Sequence, residues 1–148
     1  MSETVQIKTP WLASKDPEVP STLNYSTLSM CGRVEEMVRQ YPNYIAYEFM
    51  GKTTTYAEMW QKINACAKSL KAIGIREGDK VTICMPNAPQ TLCMFYAVNM
   101  VGAIANMVHP LSAESEISFY LRDSNSVAAI TLDQFYPCLL YTSPSPRD

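Results

Sequence analysis

The chain has 148 residues, 47% of them hydrophobic and 18% charged, and its formal net charge is −2. That length and apolar share suit one domain with a buried core, or part of a larger one. The near-neutral charge, with Asp and Glu scattered along the chain, excludes any electrostatic argument for a nucleic-acid or anionic-membrane partner.

Residues 1–27 contain Pro and Ser without periodicity and read as an extended lead-in, with Trp11 and Leu12 expected to anchor on the body. Met1 to Thr9 is polar and lacks the apolar run of a secretory signal. Met30, Val34, Met37, Val38 and Tyr41 then recur at spacings of three and four, with Arg33, Glu35, Glu36 and Arg39 opposite. This pattern predicts an amphipathic helix that stops at Tyr41-Pro42. Tyr44 to Phe49, a Gly51-Lys52 turn and Thr53 to Thr55 predict a hairpin. Thr55-Tyr56-Ala57-Glu58 has the spacing of a capping box, in which hydroxyl and carboxylate satisfy each other's backbone amides. The helix it opens places Tyr56, Met59, Trp60, Ile63, Ala67 and Leu70 on one face and ends at Gly74.

Gly78-Asp79 turns the chain into a strand over Val81 to Met85. From Val81 to Ala113 there is no Asp, Glu, Lys or Arg. Gln90 to His109 approaches the roughly 20 residues that a membrane span needs. Asn99, Gly102, Asn106 and His109 interrupt it, and neither end carries aromatic belts or a Lys/Arg cluster. The stretch reads instead as a buried helix, Gln90 to Val101, stopped by Gly102, and a buried strand, Ile104 to Val108. Ser112 is expected to cap a fourth helix carrying Ile117, Tyr120 and Leu121, followed by a strand over Val127 to Leu132. Strands and helices joined by short links predict an α/β fold, with a mostly parallel sheet covered on both faces.

Cys31, Cys66, Cys84, Cys93 and Cys138 form no C-x-x-C pair, and there is no second histidine to complete a zinc site. Such cysteines point to a reducing compartment, and a cytoplasmic location is expected. Gly74-x-x-x-Gly78-Asp79-Lys80 has the wrong spacing for a phosphate loop. It also leaves a helix and enters a strand, so no positive helix end faces an anion. No G-x-G-x-x-G follows a strand, no carboxylates stand at the strand tips, and there is no G-x-S-x-G elbow. His109 is the only histidine and sits at a strand's carboxyl end, where open α/β sheets place ligands. With no nearby carboxylate to orient it, it reads first as a hydrogen-bonded loop residue and second as a ligand contact. Tyr56, Trp60, Phe95 and Tyr96 fit either an apolar pocket or, at helical spacing, the core.

Residues 138–148, Cys-Leu-Leu-Tyr-Thr-Ser-Pro-Ser-Pro-Arg-Asp, shift in character and resemble the in-frame translation of a sequencing-library adapter. On that reading they form a non-native tail, Cys138 is not a native thiol, and the natural sequence continues differently after about Pro137.

Several short pieces stand in a fixed order: Thr54-Thr55-Tyr56-Ala57-Glu58, Gly74-Ile75-Arg76-Glu77-Gly78-Asp79-Lys80-Val81, and Met85-Pro86-Asn87-Ala88-Pro89. Val101-Gly102-Ala103, His109-Pro110-Leu111, Glu116-Ile117 and Leu121-Arg122-Asp123-Ser124 continue the series. Together they resemble the amino-terminal subdomain of AMP-forming acyl-CoA synthetases, within the adenylate-forming superfamily. The resemblance makes residues 28–137 a partial AMP-binding subdomain. It implies a ligase in which a carboxylic acid and Mg·ATP give an acyl-adenylate and pyrophosphate, after which coenzyme A displaces AMP. ATP, Mg2+ and coenzyme A are thus implied for the full-length enzyme and none for this piece. The family's phosphate-binding loop, adenine- and ribose-binding segments and mobile-domain lysine do not occur in this sequence. No catalytic, cofactor-binding or metal-binding residue is therefore assigned, and the piece alone is expected to be inactive. The expected partners are a carboxylic-acid substrate and the remainder of its own chain, with no nucleic acid and no transmembrane segment. The alternative is a small non-enzymatic α/β interaction module.

Overall fold

A computed structural model describes residues 9–133 of the chain. The lead-in departs from expectation, because Trp11 and Leu12 lie in a short 3-10 turn, Pro10–Ser14, that buries nothing; both are exposed. The first helix, α1 (Met30–Gln40), is capped by Ser29, whose Oγ accepts from the Gly32 amide at 3.1 Å. Its Cys31 thiol donates to the Tyr96 carbonyl at 3.0 Å, tying it to a later helix.

Strands β1 (Ile45–Phe49) and β2 (Lys52–Thr55) form the predicted antiparallel hairpin, but its turn is Met50-Gly51 rather than Gly51-Lys52, because Lys52 already pairs with Phe49. Its turn residues Met50 and Gly51 both have positive φ, 50° and 77°, as a two-residue hairpin loop requires. The capping box is present at the start of α2 (Tyr56–Ala72). Thr55 N donates to Glu58 Oε2 at 2.8 Å, and Glu58 N donates to Thr55 Oγ1 at 3.3 Å. Met59, Ile63, Ala67 and Leu70 are the buried face of α2. Tyr56 and Trp60 lie half-buried at its margin.

Strand β3 (Lys80–Cys84) begins one residue earlier than predicted and ends one earlier, because Lys80 already pairs with Ile104. Helix α3 (Pro89–Val101) leads through Gly102 to β4 (Ile104–Val108). The cap of α4 (Glu114–Asp123) is a correction: Ala113, not Ser112, is the N-cap residue. Alanine offers no acceptor, so the helix start is closed from the other side. Glu116 Oε2 accepts from the Ala113 amide at 3.0 Å. On α4, Ile117 is buried, Leu121 is half-buried, and Tyr120 is exposed rather than part of the core face. Strand β5 (Ala128–Thr131) ends the described fold and is shorter than Val127 to Leu132.

The three later strands form a parallel sheet in the order β4-β3-β5. Each connection therefore crosses over through a helix, as parallel pairing demands. Alternation along central β3 separates two chemistries. Val81 and Ile83 point into the main core with Ile63, Leu70, Ala97 and Val98 of α2 and α3. Cys84 points to the other face, where it packs with Val108 and Ile117 beneath α4. Both faces are covered, but unequally. Beside that small apolar cluster, Thr82 Oγ1 accepts from Asn106 Nδ2 at 3.0 Å and meets Ser126 Oγ at 2.7 Å. Ser124 Oγ joins both, at 3.2 Å from Asn106 Nδ2 and 2.8 Å from Ser126 Oγ. Every buried side-chain polar atom of the described residues has a partner. No helix of the described residues is long and apolar enough to cross a membrane.

Candidate functional site at the carboxyl edge of the sheet

Parallel strands that all run one way bring their carboxyl ends to one edge, where the loops after β3 and β4 lie side by side. There a cleft of about 390 Å³ is lined by Met85, Pro86, Asn87, Met107, Val108, His109, Pro110 and Leu111. The strand register makes this cleft: Ile83 pairs with Met107 and Cys84 with Val108, so Met85 to Asn87 emerge beside His109 to Leu111. Asn87 and Met107 also border a second depression against Thr91, Leu92 and Phe95 of α3.

His109 is an exposed, hydrogen-bonded loop residue, the first of its two readings from sequence. Its Nδ1 accepts from the Leu111 amide at 3.2 Å. A ring nitrogen that accepts carries no hydrogen, so the hydrogen of the neutral ring sits on Nε2. The backbone is fixed as well. The His109 carbonyl accepts from the Ser112 amide at 3.1 Å and from the Cys84 thiol at 3.9 Å. The cleft lining includes no Asp, Glu, Lys or Arg. It can therefore grip an apolar body and offer hydrogen bonds from His109 and Asn87, but it supplies no carboxylate and no Lys or Arg.

The Gly74 to Lys80 segment is a turn. Gly74 and Gly78 have φ of 97° and 82°, and Asp79 Oδ2 accepts from the Arg76 amide at 2.7 Å. The aromatic set divides. Tyr56 and Tyr96 border a cleft of about 410 Å³ with Met30, Val34, Met37 and Met59, whereas Phe95 borders the α3 depression and Trp60 borders neither. All four pack against the main core. Cys31, Cys84 and Cys93 are buried, and Cys66 is half-buried; none is in a disulfide. Burial pushes the thiols of Cys31, Cys66 and Cys93 above the ordinary range, with Glu35 adding to it at Cys31 and Cys66 adding to it at Cys93. Cys31 and Cys93, being buried as well, are unreactive core groups, whereas Cys66 is only partly shielded. Among the described residues no three His, Cys, Asp or Glu side chains come together in a way that holds a metal. The expected tail, 138–148, lies outside the described residues.

Sequence reasoning placed His109 at a strand tip but missed Met107 and Leu111 as its neighbours. Leu111 follows a proline in a loop, where no periodicity marks it. The alternation of Asn106 and Val108 with Met107 was the one available signal that Met107 turns to the α3 side.

Comparison with known proteins bears on the whole fold. The sequence profile of the AMP-binding enzyme family matches residues 34–146. A long-chain-fatty-acid–CoA ligase of Bacillus subtilis is 30% identical over 133 residues, which are 90% of this chain and 24% of that protein. The long-chain-fatty-acid–CoA ligase FadD13 of Mycobacterium tuberculosis is 42% identical over 76 residues, 51% of this chain and 15% of that protein. Among solved structures, a fatty acyl CoA synthetase of Mycobacterium tuberculosis superposes with a TM-score of 0.70 at 33% identity, over 73% of this chain and 22% of that one. The chain thus spans a quarter or less of the length of these relatives.

Proposed function

This chain belongs to the AMP-binding enzyme family, and from that premise we propose that it is the amino-terminal part of an AMP-forming acyl-CoA synthetase. The observation that carries the reading is the match to the Bacillus subtilis ligase, which runs through 90% of this chain in one alignment. The reaction proposed for the whole enzyme is attack of a carboxylate on the α-phosphate of ATP, followed by displacement of AMP by the coenzyme A thiol. Charge spreads over the phosphate oxygens in the first step and requires cations and donors around them.

The cleft at the sheet's carboxyl edge does not fit that requirement. Magnesium takes hard oxygen ligands, usually one or two carboxylates together with substrate phosphates. The cleft at the sheet's carboxyl edge lacks any carboxylate, and it also lacks the lysine or arginine that would face a phosphate. On this proposal ATP, Mg2+ and coenzyme A are handled by the remainder of the enzyme, and residues 28–137 serve as scaffold. A carboxylic acid is the substrate, nucleic acid plays no part, and residues 138–148 are not native. That none of the four described cysteines is in a disulfide supports a cytoplasmic setting.

The test is to read the genomic locus beyond codon 137, express the longer protein and assay AMP release with a panel of carboxylic acids. The expected result is acid-dependent AMP and acyl-CoA formation by the longer protein and none by the 148-residue chain. A stop codon at that point, or a longer protein that never releases AMP, overturns the reading.

A further inference from the structure

We propose that Cys66 and Cys93 are a redox-sensitive pair, joined by a reversible disulfide when the protein meets a peroxide. The bond pins helix α2 to helix α3. The assignment uses neither the carboxyl-edge cleft nor the acid-activating reading, and its test is separate from theirs.

Neighbouring side chains bring the two sulfurs to one place. Cys66 and Lys62 stand one turn apart on α2, so they share a side of that helix. Lys62 Nζ donates to Tyr47 Oη of β1 at 3.3 Å and lies 5.8 Å from the centre of the ring. The same Tyr47 hydroxyl is a hydrogen-bond partner of the Cys93 thiol, on which Lys62 and Cys66 both act electrostatically. Cys93 therefore faces the side of α2 that carries Cys66. Both sulfurs belong to one packed seam, with Cys93 buried in the main core and Cys66 half-buried against it. Small residues line that seam: Ala67 follows Cys66, Ala97 lies one turn beyond Cys93, and both are buried. No other two elements of the described residues pack as extensively as α2 and α3. Helices about 8–10 Å apart bring facing Cα atoms to roughly 4–6 Å, which matches the roughly 4.4–6.8 Å span of a disulfide.

The two thiols divide the chemistry by exposure. Cys66 is partly open to solvent with a lysine ammonium on the same side of its helix, the surroundings in which a cysteine meets an oxidant. Its sulfur attacks hydrogen peroxide and the O–O bond breaks. Cys66 becomes a sulfenic acid, and its proton leaves with the departing hydroxide as water. Cys93, closed to reagents in solvent, then attacks that sulfur. The S–O bond breaks, and the hydroxyl takes the Cys93 proton away as a second water. The two thiols are oxidised together and the peroxide is reduced; a small dithiol reverses the bond by exchange. Burial keeps both thiols protonated at neutral pH, so the reaction is slow. Its second step is intramolecular, however, and needs no reagent to enter the core. Neither other buried cysteine competes, because Cys31 is bonded to the Tyr96 carbonyl and Cys84 lies on the opposite face of the sheet.

The experiment uses the 148-residue protein carrying Cys138→Ser, so that the tail thiol plays no part. The folded protein is treated with hydrogen peroxide, remaining thiols are blocked, and cysteine peptides are mapped by mass spectrometry without reduction. The linked Cys66–Cys93 peptide is expected to exceed any other cysteine pair by about tenfold or more, since only this pair is held in place. Dithiothreitol is expected to restore both thiols. In urea, where the helices no longer hold the sulfurs together, the preference is expected to vanish. With Cys93→Ser the resolving sulfur is gone, and dimedone is expected to trap the sulfenic acid on Cys66. The peptide map needs no substitution in the core, so it stands even where that variant folds poorly. Random pairing in the folded protein, or oxidation that halts on Cys66 without a link, overturns the assignment. So does a preference that survives urea, because sequence proximity rather than the fold then sets the pairing.

Discussion

Asn106 and Thr82 face each other across the β4–β3 pair, with the Asn106 amide donating to Thr82 Oγ1 at 3.0 Å. Thr82 is wholly buried at the centre of the sheet, so its hydroxyl has no water to fall back on. Ser126, just before β5, closes the same hydroxyl from the other side at 2.7 Å. One buried oxygen therefore joins the central strand to groups at both of its neighbours. A residue slip would turn each of these polar side chains into the apolar core, so the network also fixes register.

Thr82→Val keeps the shape and removes the oxygen, leaving Asn106 without that acceptor and Ser126 without that partner. The expected loss is about 1–3 kcal/mol of folding stability, typical of stranding buried polar groups. Urea denaturation of the variant against the natural chain measures it. Replacing Thr82 and Asn106 together, as Thr82→Val with Asn106→Leu, is expected to recover part of the loss, because the Asn106 amide is then no longer left without its acceptor.

Gly102 and Gly74 both sit in the left-handed region, φ 83° and 97°, but their surroundings differ. A Cβ on Gly74 meets nothing within 4 Å, whereas one on Gly102 lies 3.0 Å from Glu77 Cγ and 3.2 Å from Glu77 Cβ. Gly74→Ala is therefore expected to cost only the backbone preference, about 1 kcal/mol. Gly102→Ala adds a collision with the base of a neighbouring side chain and is expected to cost more, about 2 kcal/mol. Combining Gly102→Ala with Glu77→Ala removes the 3.0 Å contact to Cγ but keeps the 3.2 Å contact to Cβ, so it should recover only part of the extra cost. Thermal melts of the four proteins decide it, and equal losses at the two glycines would refute the steric argument.

What could be read from the sequence was whatever a few neighbouring residues decide. The Thr55–Glu58 capping box, the Gly102 stop and the apolar face from Met59 to Leu70 are local, and they stand as predicted. The order β4-β3-β5 depends on pairings between distant segments, so periodicity pointed only to parallel strands. The cap at α4 was misplaced because Ser112 is the better capping residue, yet Glu116 closes the helix from within and lets Ala113 take the position. The candidate cleft was half visible. His109 announces itself as a sole histidine at a strand tip, but Met85, Met107 and Leu111 meet it only through register and loop path.

Glu58 accepts from both the backbone amide and the hydroxyl of Thr55, and these bonds hold its carboxyl below the ordinary range. The charged form is the one that caps, so the folded state binds this proton less readily than the unfolded chain. Its contribution to stability is present above the ordinary glutamate value and is lost as pH falls through the depressed one. Glu58→Gln can still accept from Thr55 but does not titrate. The stability gap between the two proteins, followed by chemical denaturation from neutral to acidic pH, should therefore close on acidification. A gap that stays constant would show that Glu58 does not cap as a carboxylate. Thr55→Ala, which removes the acceptor for the Glu58 amide, is expected to cost about 1 kcal/mol at neutral pH.

Cys93 gives the opposite sign at the other end of the pH scale. Burial in the core between α2 and α3 raises its thiol, and Cys66 raises it further. On raising the pH, the unfolded chain gives up this proton first, while the folded state keeps it. The stability Cys93 contributes is thus whole below the ordinary thiol value and drains away as pH rises through the elevated one. Cys93→Ala carries no such proton. At neutral pH the natural chain should be the more stable of the two, since the thiol fills core volume. Between neutral and alkaline pH its advantage should shrink, visible as converging denaturation midpoints. Native-state alkylation provides a separate check, because Cys66, half-buried, should be modified well before Cys93. Equal modification rates would mean that α2 and α3 part often enough to expose the core between them.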